Sequence, residues 1–190
     1  MNGFAAYDPE ASRHPANDVI SVRGARAADL AVCAELIVSR TGGPAEERVE
    51  RLQGDLEDPE RYVAVACAGS GADEQVVGYG GVIRHERLPE HPADTAPSGY
   101  FLIGLIVAAG WRRHGIGELL TLERMRWTAE RADSIWYFAN LANGAILDLH
   151  ERFGFEEVTR DFTFPGAPLQ PGTCVLLRAP LVAQWKQLPE

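Results

Sequence analysis

The chain has 190 residues, of which 46% are hydrophobic and 24% are charged, and its formal net charge is −9. These proportions are typical of a soluble globular protein with an ordinary hydrophobic core. The acidic balance argues against a general nucleic-acid-binding protein, because such a protein needs a basic face.

The first residues differ in composition from the rest of the chain. Residues 1–17 carry prolines and asparagines without hydrophobic periodicity, so we expect a flexible leader there. No internal repeat, low-complexity segment or linker divides residues 18–190, which are predicted to form a single domain.

The first predicted elements are a short strand and two helices. The strand covers 19–23, and apolar residues recurring at i, i+3, i+4 and i+7 predict an amphipathic helix over 28–39. Pro44 is suited to the first position of a second helix, because its fixed φ matches a helix and it lacks an N–H group. This second helix is expected to fray near Gly54.

The middle of the chain begins with two apolar runs, 61–68 and 75–85, which flank a glycine-containing turn and predict a β-hairpin. Residues 86–98 contain three prolines and predict an irregular loop of a length that is often functional. The remaining predicted strands cover 99–107, 135–139, 153–160 and 174–179, and the remaining helices cover 118–131 and 143–152.

A basic loop with glycines joins the strand 99–107 to the helix that follows it. The loop contains Arg112, Arg113, Gly115 and Gly117, and a run of good helix formers begins directly afterwards. The first amides of a helix have no internal acceptor, and the helix dipole places partial positive charge there. Arginine adds charge-assisted donors, so this segment predicts a phosphate-binding site.

The helix after the glycines is apolar around most of its circumference. At about 100° per residue, one narrow polar stripe remains. The stripe consists of Thr121, Arg124, Thr128 and Arg131. Glu123 falls within an apolar arc of the same helix and has no explanation in the sequence.

Two common phosphate motifs do not fit this loop. A P-loop needs a lysine after its glycines, and a dinucleotide fingerprint needs a third glycine where Leu120 stands. The pattern that remains, Arg112-x-x-Gly115-x-Gly117, resembles the pyrophosphate loop of the GNAT superfamily of acyl-CoA N-acyltransferases. Residues 143–155 resemble the NxxAxxLYexxGF segment of the same family, at the separation that is usual there.

The resemblance implies a fold class, α/β (α+β), with a mixed, mostly antiparallel sheet flanked by helices on both faces. Two central strands of such a sheet splay apart to admit the pantetheine arm of the cofactor, which would be acetyl-CoA (coenzyme A). The implied cofactor-binding residues are Ile106 and Val107 for pantetheine, Arg112, Arg113, His114, Gly115, Ile116 and Gly117 for the pyrophosphate, and Asn143. Asn143 could equally be a helix N-cap.

His150 stands where the family pattern has tyrosine, and that tyrosine commonly protonates the departing thiolate. His150 is therefore the candidate catalytic residue, although it could instead only form a hydrogen bond near the cofactor sulfur. Family members often have a glutamate on the strand before the glycine loop, but Gly104 occupies the nearest matching position. A water chain to solvent is our leading candidate for the base. Other candidates are Tyr100, His85, Glu86, His91 and Glu35.

These features predict an acetyl-CoA-dependent N-acetyltransferase that acts on a primary amine of a small molecule or peptide. A different acyl group, a hydroxyl acceptor, or a CoA-binding module without catalysis are the alternatives. We expect three segments, 39–44, 86–98 and 161–173, to surround the acceptor. The acidic background favours a cationic amine there.

The sequence also bears on the cellular setting. No apolar run is long enough for a membrane span and no secretory signal is evident, so we expect a cytoplasmic protein without membrane or nucleic-acid partners. A homodimer is left open. The cysteines, Cys33, Cys67 and Cys174, are odd in number and lie in apolar segments, which predicts reduced core thiols and no metal site.

Overall fold

A computed structural model describes residues 19–181, and the predicted leader at 1–17 lies outside them. The strands are β1 (Ile20–Gly24), β2 (Tyr62–Ala68), β3 (Gln75–His85), β4 (Gly99–Val107), β5 (Ser134–Asn140), β6 (Glu156–Thr159) and β7 (Cys174–Pro180). The helices are α1 (Leu30–Thr41), α2 (Ala45–Glu57), α3 (Ile116–Ala129) and α4 (Gly144–Arg152). This order of elements confirms the one expected from the sequence.

The strands form a seven-stranded mixed sheet in the order β1-β2-β3-β4-β5-β7-β6. Strands β1, β2 and β3 pair antiparallel in succession, and β7 pairs antiparallel with both β5 and β6. Strand β4 pairs in parallel with β5, where Phe101 lies opposite Trp136. The predicted fold class, a mixed and mostly antiparallel sheet with helices, is confirmed.

The described residues divide into two compact units. We call 19–83 together with Ile103–Trp127 the glycine-loop unit, because it contains the basic loop and most of α3. Arg84–Leu102 together with 128–181 form the histidine unit, which contains α4 and His150.

Strand β2 organises the core of the glycine-loop unit, because its side chains alternate between two apolar clusters. Val63, Val65 and Cys67 lie in one cluster with residues of α1 and α2. Alanines 64, 66 and 68 lie in the other with Ile116 and Leu120 of α3. Helices therefore cover both faces of the sheet in this unit, as expected.

The approach of α3 to the sheet depends on small residues in the strands. A Cβ atom on Gly78 would lie 3.1 Å from both Ile116 Cγ2 and Leu120 Cδ1. Together with the alanines of β2, this glycine allows the helix that follows the basic loop to lie close to β3.

Several predicted boundaries are corrected. Pro44 is the N-cap of α2 rather than its first residue, with an extended backbone at φ −74° and ψ 138°. The helix does not fray at Gly54 but continues to Glu57, since the buried Leu52 and Asp55 anchor its last turns. Strand β6 covers only four of the eight residues predicted at 153–160, because α4 ends in a turn at Gly154, φ +77°.

The three cysteines are buried and free, which confirms that they are core thiols. Burial raises the pKa of Cys33 to about 12, so this thiol stays protonated. In the described part of the chain, 19–181, none of the helices is long and apolar enough to span a bilayer.

Candidate functional site

The basic loop has the geometry of an anion-binding helix start. After β4 comes a short 3-10 turn, Ala109–Trp111, and α3 begins at Ile116. The Gly115 carbonyl accepts hydrogen bonds from the N–H groups of both Glu118 and Leu119, at 3.0 and 3.2 Å, so the hydrogen bonds of the helix already include Gly115. The backbone amides of the predicted pyrophosphate residues therefore belong to the loop and the first helical residues, where the dipole attracts an anion.

Two residues of the loop have positive φ, Arg113 at 69° and Gly115 at 77°. A Cβ atom on Gly115 would find no atom within 4 Å, so a ligand has open space in front of this backbone. Arg112 and Arg113 are exposed, and His114 Nδ1 contacts the Arg112 carbonyl at 2.9 Å. These residues can hold a diphosphate between loop amides and guanidinium groups.

Three arginines contact backbone carbonyls in the second half of β4. The contacts run from Arg124 Nη1 to Ile103 at 3.2 Å, from Arg40 Nη1 to Leu105 at 3.3 Å, and from Arg112 Nε to Val107 at 3.4 Å. The predicted pantetheine residues, Ile106 and Val107, thus lie in a stretch whose carbonyls accept donors from outside the strand ladder. The sequence did not indicate the role of Arg40 or Arg124.

Gly104 explains why this strand has no glutamate. Its φ is +48°, and a Cβ atom there would lie 2.9 Å from Cε1 of Tyr79. Any side chain at this position would be strained and would collide with the tyrosine ring. Tyr79 is buried, and burial raises the pKa of its hydroxyl to about 12, so it remains neutral.

In the histidine unit, Asn143 is the residue directly before α4. Its carbonyl accepts the N–H groups of Ile146 and Leu147, at 3.1 and 3.2 Å, which is the backbone geometry of an N-cap. Its side chain makes no capping hydrogen bond. Asn143, a half-buried residue, is therefore the N-cap by its position, but its side chain does not cap the helix.

His150 is fully buried on α4 and stacks on Tyr137 of β5, with ring centroids 4.1 Å apart and planes at 4°. Phe155 meets the same imidazole edge-on at 4.9 Å. Nδ1 lies 2.8 Å from the Ile146 carbonyl, which can only accept, so Nδ1 carries a proton. In the neutral ring Nε2 then has a lone pair, and proton donation from Nε2 requires the imidazolium form.

Two of the candidate bases are stacked histidines. His85 is buried and contacts the Ala96 carbonyl through Nε2 at 3.1 Å, so that nitrogen carries its proton. Burial is the main cause that lowers the pKa of His85, and the neighbouring His91 lowers it further. His91 Nδ1 accepts the N–H of Leu88 at 3.0 Å. His85 is therefore a neutral imidazole near pH 7.

The other candidate bases lie in different surroundings. Tyr100 is buried, and the guanidinium of Arg84 lies over its ring at 5.6 Å. Glu86 and Glu35 are exposed. Glu35 belongs to the glycine-loop unit, whereas the other candidates belong to the histidine unit.

The loops 86–98 and 161–173, both predicted to surround the acceptor, are joined in the histidine unit. The Ala96 N–H donates to the Thr163 carbonyl at 2.9 Å, and the Thr163 N–H donates to the Asp94 carbonyl at 3.0 Å. Phe164 then inserts its ring among aromatic side chains of the same unit. Its neighbours are His85 at 4.7 Å, Phe138 at 4.9 Å and Phe101 at 5.1 Å. The third predicted segment, 39–44, belongs to the glycine-loop unit.

Between residues 19 and 181, the structure has no group of three or more histidine, cysteine, aspartate and glutamate side chains placed to hold a metal ion.

Comparison with known structures gives consistent matches. A ribosomal-protein-alanine N-acetyltransferase from Brucella melitensis superposes with a TM-score of 0.63 at 22% identity, covering 84% of this chain and 99% of that one. The yncA protein from Salmonella typhimurium, solved with its cofactor acetyl-CoA, gives 0.65 at 14% identity, covering 90% and 98%. A spermidine N-acetyltransferase chimera from Vibrio cholerae and hSSAT gives 0.62 at 14%, covering 89% and 99%. At these identities the likeness concerns the fold.

Sequence comparison supplies the family. No curated protein matches the chain significantly. The profile of the acetyltransferase (GNAT) family, however, matches residues 30–155, which include the basic loop, α3 and the segment with Asn143 and His150. The chain therefore belongs to the GNAT acetyltransferase family.

Proposed function

We propose that this protein is an acetyl-CoA-dependent N-acetyltransferase for a primary amine of a small molecule or peptide. We further propose that it works in the cytoplasm as a single GNAT domain over residues 18–190. Family membership supports acyl transfer from acyl-CoA in general. The observation that carries the proposal is the open helix start at Gly115, which follows β4 after a short 3-10 turn and can bind a diphosphate through backbone amides.

The residues of the chain divide the work between binding and proton transfer. Amides of residues 113–117 and the guanidinium of Arg112 bind the diphosphate, and the backbone of Ile106 and Val107 binds the pantetheine amides. Asn143 adds a polar side chain that is not used as a cap. When bound, acetyl-CoA supplies the acetyl group as a thioester. His150 in its imidazolium form donates a proton from Nε2 to the departing sulfur, and water takes the proton from the amine.

An amine acceptor is supported by charge and by the fold relatives. Two of the superposed proteins are named for acetylation of a protein alanine and of spermidine, both of which offer amines. The net charge of −9 raises the local concentration of cations around this protein. We therefore propose that cationic amines are preferred over anionic ones.

One observation favours a second candidate, a CoA-binding module without catalysis. The packed ring of Tyr79 leaves no room for a carboxylate at position 104, which is the position on β4 that matches the family's glutamate. A protein that only senses CoA has no need of such a base.

Thiol release from acetyl-CoA separates these candidates. The full chain is assayed with matched cationic, neutral and anionic amines at two salt concentrations, and CoA binding is measured by calorimetry. We expect amine-dependent release that is greatest for cationic amines, with a preference that weakens at high salt. CoA binding without release for any amine would establish the binding module. A salt-independent preference, or one for anionic amines, would contradict the charge argument alone.

A further inference from the structure

Three of the four residues of the polar stripe are buried on α3 instead of facing solvent, whereas Arg131 is exposed and lies beyond the end of the helix at Ala129. Thr121 and Thr128 are 0% exposed and Arg124 is 1% exposed. A buried guanidinium is costly unless its donors are bonded, and an apolar side chain of similar size would fill the same space without that cost. The contacts of Arg124 therefore indicate what it does.

Arg124 connects three elements of the glycine-loop unit. Its Nη1 donates to the carbonyls of Ile103 on β4 and Gly81 on β3, at 3.2 and 3.4 Å. Its Nε donates to the Leu120 carbonyl on its own helix at 3.0 Å. A Cβ atom on Gly80 would lie 3.0 Å from Cζ and Nε of Arg124, so the strand has a glycine where the guanidinium passes.

Thr121 extends this network to the basic loop. Its hydroxyl accepts from Arg124 Nη2 at 3.3 Å and donates to the Gly117 carbonyl at 2.8 Å. A continuous path of hydrogen bonds thus runs from Gly117 through Thr121 and Arg124 to Ile103. One end of this path is the start of α3. The other end is Ile103, the residue before Gly104, whose φ of +48° bends the strand ahead of its last residues.

We propose that Thr121 and Arg124 are positioning residues that fix the distance between the diphosphate-binding helix start and the pantetheine-binding stretch of β4. This inference rests on the proposed function. Two contacts on one ligand reinforce each other only when their separation matches the ligand, because the second contact is then made intramolecularly. A network that holds both segments in register increases the affinity for whole CoA without touching it.

Fragments of the cofactor provide the test. For the full-length protein, dissociation constants are measured for CoA, for 3′-phospho-ADP, which carries the diphosphate, and for pantetheine. In Thr121→Val, which keeps the shape but removes the hydroxyl, we expect CoA to bind about tenfold more weakly. Each fragment should bind within about twofold of its wild-type affinity, because each touches only one segment.

Two control variants accompany this measurement. Thr121→Ser keeps the hydroxyl and should restore CoA affinity. Thr128→Val removes another buried hydroxyl from the same helix and should leave CoA affinity unchanged. If Thr121→Val does not fold, Arg124→Lys replaces it. A lysine keeps the charge, but its single nitrogen cannot occupy the positions of Nε, Nη1 and Nη2 at once, and the same pattern is expected.

Equal weakening of CoA and of both fragments, or unchanged binding of all three, would overturn the inference. A wild-type protein that binds no CoA would overturn the proposed function, and the inference with it. CoA binding by the wild type with unchanged affinity in Thr121→Val would overturn the inference alone.

Discussion

The two compact units present their candidate residues in different ways. In the glycine-loop unit the candidates are mostly backbone groups, carried by one continuous segment from Ile106 to Gly117. In the histidine unit they are side chains, with His150 on α4 and the aromatic ring of Phe164 on the loop 161–173. Backbone groups bind and orient a ligand, whereas imidazole and aromatic side chains can transfer protons or shape an acceptor pocket. Variants in the first unit should therefore change cofactor affinity, and variants in the second should change turnover or acceptor use.

The largest expected effect is on cofactor binding. Gly117→Asp places a negative charge at the start of α3, where the diphosphate is proposed to bind. Two negative charges about 4 Å apart, one on the new carboxylate and one on the diphosphate, repel each other by about 4 kcal/mol at an effective dielectric constant of about 20. This energy corresponds to roughly 1,000-fold weaker CoA binding. Calorimetry on the folded variant measures this loss.

Gly54→Asp is the matched control for that variant. It adds the same charge on α2, where a Cβ atom would meet no atom within 4 Å, and it should leave CoA affinity unchanged. Undiminished CoA binding by Gly117→Asp would contradict the assignment of the glycine loop.

The next effect should separate turnover from binding. His150→Phe keeps an aromatic ring beside Tyr137 but removes both nitrogens, so kcat should fall about 100-fold while CoA affinity changes little. His150→Tyr, which restores the residue of the family pattern, should regain at least about tenfold of that loss. Steady-state kinetics and calorimetry on both variants provide the measurement, and an unchanged kcat in the phenylalanine variant would remove His150 from the mechanism.

A smaller effect is expected where the two loops of the histidine unit join. Phe164→Ala removes a half-buried ring that contacts His85, Phe101 and Phe138. The lost packing should lower the free energy of unfolding by about 2 kcal/mol. The acceptor KM should rise about tenfold, with CoA affinity unchanged. Phe164→Leu fills most of the space and should show a weaker form of the same change. If the acceptor KM stays constant in both variants, these loops do not form the acceptor site.

The smallest effect concerns pH and the stability of the histidine unit. Burial lowers the pKa of His85 below its unfolded value of about 6.5, so the unfolded chain binds more protons. This contribution to stability is fully present above about pH 6.5 and is lost as the pH falls through and below that value. The thermal midpoint of the wild type should therefore drop between about pH 7.5 and pH 5.5.

His85→Gln keeps a donor for the Ala96 carbonyl but does not titrate, so its midpoint should depend less on pH. His91→Gln, which leaves His85 in place, should retain most of the wild-type dependence. An identical pH profile for the wild type and His85→Gln would contradict this origin of the acid sensitivity.

Local sequence patterns determined the elements and the family. Hydrophobic periodicity depends on neighbouring residues, and the basic loop places its glycines and arginines within six residues of one another, so both are visible in the linear chain. The same holds for the segment from Asn143 to Phe155. The element order and the family followed from these patterns, the mostly antiparallel sheet followed from the family resemblance, and all three are confirmed.

Tertiary structure decided the features that join residues far apart in the sequence. The polar residues of α3 could have faced solvent. Glycines and alanines on β2 and β3 instead allow that helix to pack closely against the sheet, and Arg124 is buried there with a hydrogen bond to β4. Glu123, unexplained in the sequence, accepts a hydrogen bond from the Tyr62 hydroxyl at 2.7 Å. Gly104 lacks a side chain because Tyr79 occupies its space, and the contact between Thr163 and Asp94 spans 69 positions. Such pairs leave no periodic pattern, because their partners meet only after the chain has folded.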